Sequence, residues 1–118
     1  MPSTEPVQLT SVPPPGELCP KDRSKDYYLI AEDLLEREIL FEKHEKLISF
    51  FCKMLDQYQD LYEHYLLINT LGERRDRRKA KRLMNKSFQN LKKWSTNYFI
   101  VEPDYLRKIG VNIPKLED

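Results

Sequence analysis

The side chains best able to do chemistry are few: two histidines, two cysteines and two closely spaced glutamates in one short charged run. His44 and His64 each lack a second His or Cys three or four residues away, the spacing by which a helix offers two ligands to one metal. Cys52 follows Phe50 and Phe51, and only Lys53 is near enough in sequence to favour its thiolate, so it reads as a packed, unreactive thiol. Glu42 and Glu45 belong to "EKHEK", a mixed-charge solvated helical face rather than an acid–base pair. A glycine-rich phosphate loop, G-x-S-x-G and H-E-x-x-H are all missing from the sequence. The chain reads as a non-enzyme, with no cofactor, no metal and no small-molecule substrate implied.

Charge offers more. The stretch "GERRDRRKAKRLMNK", residues 72 to 86, carries eight basic side chains against two acidic ones. Arg74, Arg75, Arg77, Arg78, Lys79, Lys81 and Arg82 form its dense part. Such a run can meet phosphate without reading sequence, or meet an acidic protein surface. It contains no interleaved aromatics for stacking on single strands. "RRDRRKAKR" also has the composition of a short nuclear-import cluster.

These residues need elements to hold them. From Ser24 to Ile68 the chain has neither proline nor glycine, and its apolar residues fall into heptad columns. One column holds Leu40, Leu47, Met54, Leu61 and Ile68. The next holds Tyr27, Leu34, Phe41, Ile48, Leu55 and Tyr62, and a third runs Ile30, Arg37, His44, Phe51, Tyr58, Tyr65. Together they make an apolar stripe about 100° wide, which predicts a helix over 24–68 burying one continuous face. Past Ile68 the stripe fails and a new phase begins at Ala80, Leu83, Met84, Phe88, Leu91, Trp94 and Tyr98. Between the two lies "NTLGE", in which Thr70 and Glu73 have capping-box spacing and Gly72 permits a reversal. A second helix over 71–98 follows, and the two form an antiparallel hairpin over 24–98.

The ends differ in character. Residues 1–23 hold six prolines, including Pro13-Pro14-Pro15, and read as a disordered lead that either binds nothing or fits a polyproline-reading groove. Residues 99–118 read as a docking segment, with a short helix over 103–109 opened by Pro103 and stopped by Gly110, then an extended tail. The fold class expected is all-α: a long helical, coiled-coil-like hairpin with a Pro-rich lead and a C-terminal short helix.

Bulk composition agrees with this class. The 118 residues are 40% hydrophobic and 33% charged, with three glycines and a formal net charge of +1. That near-neutrality hides segregation: Glu32 to Glu63 carries nine acidic side chains against four basic, and Glu73 to Lys93 ten basic against two acidic. Opposite flanks favour the antiparallel pairing, each exposed pair adding only a few tenths of a kcal/mol. Near the turn only Asp60 and Glu63 could face the run, so its surplus stays open to an acidic partner. Cys19 and Cys52, too few for a disulfide framework, fit reduced thiols and an intracellular protein, cytoplasmic or nuclear. No apolar run approaches the roughly 20 residues that span a bilayer.

A first helix of this length outruns its partner. The overhang carries Tyr27, Tyr28, Ile30, Leu34, Leu35 and Ile39, and the tail, with Tyr105, Leu106 and Ile109, is expected to fold back along it. Phe50, Leu66 and Leu67 point off the stripe. The candidate protein-binding residues are therefore Tyr27, Tyr28, Ile30, Leu34, Phe50, Leu66, Leu67, Tyr105, Leu106 and Ile109. The function expected is a protein–protein interaction module, a small subunit or adaptor docking through seam and tail. The alternative is a nucleic-acid-associated protein gripping phosphate with the basic helix 73–93, and a homodimer also fits.

Overall fold

The heptad stripe predicts an unbroken first rod; the structure divides it. The computed structural model describes residues 7–102 and 104–114. Its helices are α1 (Ser24–Glu36), α2 (His44–Leu71), α3 (Arg74–Phe99) and α4 (Tyr105–Lys108), after a single 3-10 turn at Lys21–Arg23. The expectations for residues 1–6, Pro103 and 115–118 lie outside the described residues. The all-α class and the hairpin of two long packed helices hold; the continuous helix over 24–68 does not. The chain divides into two compact units, Met1–Lys53 and Met54–Asp118.

The break in the first unit has a hydrogen-bonded cause. Glu38 adopts φ 60°, the left-handed conformation usually left to glycine. Its N–H donates to the Leu35 carbonyl at 3.0 Å, and the Ile39 N–H donates to the Leu34 carbonyl at 2.9 Å. This is the paired arrangement of a Schellman stop, which satisfies carbonyls left open at a helix end. The next helix starts when His44 accepts the Phe41 N–H on Nδ1 at 2.9 Å and donates its own N–H to the Phe41 carbonyl at 2.9 Å. His44 is buried and stacks at 5.9 Å on the Phe41 ring, so its imidazole organises a turn.

The proline-rich lead is corrected most. From Val7 onward it is part of the first unit, not a free tail. Gln8 bridges Phe41 in antiparallel fashion, with Leu9 N–H donating to Leu40 O at 2.8 Å and Glu42 N–H to Val7 O at 3.2 Å. The Tyr27 hydroxyl donates to the carbonyls of Pro13 (2.9 Å) and Pro14 (3.4 Å). Gly16 donates to Ser49 Oγ at 3.1 Å, and a side chain there would run into the Glu45 carboxylate. Prolines supply carbonyls and no N–H, so a segment rich in them can lie on a helix as an acceptor strap with few donors left unpaired. In the same unit Tyr27, Ile30, Ala31, Leu34, Leu40, Ile48, Phe51 and Cys52 are buried. Each such large side chain contributes roughly 1.5–3 kcal/mol.

The second unit contains the hairpin turn. α2 runs on to Leu71, three residues beyond expectation, and α3 begins at Arg74 rather than 71. Thr70 is no cap: its hydroxyl donates back to the Leu66 carbonyl at 3.1 Å, and Glu73 makes no side-chain capping bond. Gly72 makes the close approach, because a Cβ there would meet the Ile68 carbonyl oxygen at 2.8 Å. Across the hairpin Tyr58 packs on Phe88 at 5.7 Å between ring centres. α3 buries Ala80, Met84, Phe88, Leu91, Ser95 and Phe99, the spacing of one helical face.

The short C-terminal helix spans Tyr105–Lys108, shorter than the expected 103–109. Gly110, at φ 87°, stops it: the Gly110 N–H donates to Arg107 O at 3.1 Å and Val111 N–H to Leu106 O at 2.9 Å. The sequence places the extended tail along residues 27–39. In this unit it bonds to α2, where the Tyr58 hydroxyl donates to the Asn112 carbonyl and Asn112 Nδ2 donates to Gln59 Oε1 at 3.1 Å.

Candidate interaction surface

The residues singled out from sequence separate into core and surface. Tyr27, Ile30 and Leu34 are fully buried in the first unit, and Leu106 is 1% exposed in the second. These four are corrected from partner-binding to core residues: each is covered within its own unit, Tyr27, Ile30 and Leu34 in the first and Leu106 in the second. Tyr105 and Ile109 are half-buried. Tyr28 is exposed, its ring edge-on to Tyr27 at 5.5 Å, and so is Phe50.

Leu66 and Leu67 remain open, at 47% and 57% exposure, and Leu71 reaches 76%. Leu67 and Leu71 are one turn apart on the same helical face. Sequence reasoning missed Leu71 because it placed that residue where the chain breaks and the second helix opens. The signal available was the spacing of four residues from Leu67. All three leucines stand on the last turns of α2, immediately before Gly72 reverses the chain.

The basic run opens the helix on the other side of that turn. Arg74, Arg75, Arg77, Arg78, Lys79 and Arg82 are all exposed, and Lys81 is half-buried. Among the described residues those six exposed cations form no ion pair. Asp60 and Glu63, expected to face them, form none either; Glu63 instead accepts a hydrogen bond from Gln59 at 3.1 Å. Arg74, Arg75, Arg78, Lys79 and Arg82, with Glu73 and Asp76, frame an open depression at the helix start. The helix dipole places its positive end there, which adds to the potential of the side chains. The turn end of the hairpin thus joins exposed leucines to uncompensated positive charge.

The remaining chemistry-bearing groups do not converge. His64 is exposed on α2, while His44 is buried in the first unit. Among the described residues no three His, Cys, Asp or Glu side chains are grouped to hold a metal. Cys19 and Cys52 are free thiols of the first unit. Burial, and then the neighbouring Cys19, push Cys52 far above the usual thiol range; Cys19 is raised, chiefly by burial. Burial also raises the phenols of Tyr27 and Tyr58. Among the described residues no helix is long and apolar enough to cross a membrane.

No family model matches the chain, and no curated protein or solved structure matches it.

Proposed function

We propose that this chain is a non-enzymatic helical interaction module, a small subunit or adaptor that docks on another protein through the turn end of its hairpin. One observation carries the reading: Leu66, Leu67 and Leu71 stand exposed beside arginines that lack carboxylate partners. A partner that satisfies both is an acidic amphipathic segment, its apolar side on the leucines and its carboxylates on Arg74 and Arg78. Such a surface has the make-up of a protein interface, an apolar centre within a charged rim. A second copy fits less well, since pairing two such ends would oppose two dense cationic runs. The reading has the protein act inside the cell, in cytoplasm or nucleus, where Cys19 and Cys52 stay reduced.

A labelled peptide of alternating Glu and Leu heptads serves as the probe, with fluorescence anisotropy as readout. The double variant Leu67→Asp/Leu71→Asp should weaken its binding at least tenfold, and a Glu/Ser peptide of equal charge should bind correspondingly weakly. Equal affinity for both peptides, or no loss in the variant, would defeat the reading. Light scattering on the same protein should report a monomer; a dimer abolished by that double variant would replace the acidic partner with a second copy.

A further inference from the structure

The buried residues of α3 fix which side of that helix faces outward. Ala80, Met84, Phe88, Leu91, Ser95 and Phe99 define the inner face. At about 100° per residue, Arg75, Lys79, Arg82, Lys86 and Lys93 fall within a sector about 60° wide on the opposite side. All five are exposed. None of them forms an ion pair among the described residues. The gap in the row, between Lys86 and Lys93, is filled by Gln89 and Asn90, which are exposed hydrogen-bonding amides. The stripe therefore runs well beyond the hairpin end, over about 27 Å of helix.

What this face lacks identifies its ligand. Asp76 is the one carboxylate in α3 and falls outside the sector. The sector contains no aromatic or large apolar residue. Protein interfaces concentrate their binding energy in buried aromatic and apolar anchors, and a surface of cations and amides offers none. A helix lying in a membrane surface needs apolar side chains to bury, again absent here. Single-stranded nucleic acid calls for stacking platforms, which this face also lacks. A duplex needs none of these. Its phosphates recur every 3.4 Å or so along each strand, and cations displace its condensed counterions without touching a base.

We propose that the outer face of α3 is a sequence-independent binding site for the phosphate backbone of duplex nucleic acid, held by Arg75, Lys79, Arg82, Lys86 and Lys93 with Gln89 and Asn90 between them. About 27 Å of stripe spans roughly eight base pairs at that rise. The stripe shares Arg75, Lys79 and Arg82 with the depression at the turn end but includes neither the leucines nor Arg74 and Arg78.

Binding of a fluorescent 20-base-pair DNA duplex to the full chain, measured by anisotropy across a salt series, tests this. Five neutralised phosphates give a slope of log K against log salt of about −4.5, or roughly a 500-fold loss between 50 and 200 mM. Arg75→Gln/Lys79→Gln/Arg82→Gln should flatten the slope to about −2. Lys25→Gln/Arg107→Gln/Lys108→Gln removes the same charge elsewhere and should leave it near −4.5. Circular dichroism checks that each variant is folded, and the uncharged Leu67→Ser/Leu71→Ser should bind the duplex normally, which distinguishes this site from the apolar part of the protein-docking surface. The proposal is overturned if no duplex binds at 50 mM salt, or if both triple variants lose binding equally. It is also overturned if polyglutamate or phosphatidylserine vesicles bind through the stripe as strongly as the duplex.

Discussion

The end of α1 in the first unit and the end of α4 in the second use the same device on different residues. At both, the N–H groups of two successive residues fold back onto carbonyls of the last turn, around one left-handed residue. At α4 that residue is Gly110; at α1 it is Glu38. The residue three places before each stop's C-cap, Leu106 or Leu34, is buried, and the residue just after the left-handed position, Val111 or Ile39, is half-buried. A glycine stop can be read from sequence because only glycine enters that conformation without steric cost. A glutamate stop cannot, because its cost is offset by burial that only the folded unit reveals.

The largest effect should come from the residues the two stops share. Leu34→Ala and Leu106→Ala each remove a buried side chain and should cost about 2–5 kcal/mol by urea denaturation. A cost under 1 kcal/mol at Leu34 would mean that α1 ends by local hydrogen bonding alone. The left-handed residues themselves should respond in opposite directions. Gly110→Ala places a Cβ at φ 87° and should lose about 1–2 kcal/mol, seen as faster exchange of the Val111 amide. Glu38→Gly relieves the same cost and should slow exchange at Ile39, with a gain of up to about 1 kcal/mol. If both substitutions destabilise, Glu38 holds its conformation for a reason beyond the backbone.

The last effect appears only at alkaline pH. Cys52, Tyr27 and Tyr58 have proton affinities raised by folding, chiefly through burial. Above about pH 9 the unfolded chain releases these protons while the folded chain retains them, so stability falls as pH rises. It is unaffected by these groups at neutral pH. The urea midpoint should therefore decline between about pH 9 and 11, with Cys52→Ala reducing the decline; a flat profile would contradict the burial of these groups.

Much of the second unit was legible. The phase of Ala80, Met84, Phe88 and Leu91 identified the buried face of α3, and Gly72 and Gly110 marked both reversals, because apolar period and glycine sterics are local properties. Leu66 and Leu67 were recognisable as exposed for the same reason, lying off the stripe. The first unit was not legible in the same way. Pairing of Val7 to Leu9 with Leu40 to Glu42 joins residues more than 30 apart in the chain, and no periodicity records it. The heptad columns ran through residues 37–43 without interruption because Leu40 and His44 are indeed buried, though as parts of a loop and a helix start rather than one rod. Tyr27, Ile30 and Leu34 looked open because a proline-rich segment was not expected to cover anything. The cationic run was plain in sequence, but its extension to Lys86 and Lys93 needed the orientation of α3.

The bond from the Tyr27 hydroxyl to the prolyl carbonyls also fastens the triple proline to α1. The two are tied by side chain to backbone, across more than ten residues of chain. Losing α1 would therefore loosen the proline triplet as well, because the anchor and the helix are one side chain apart.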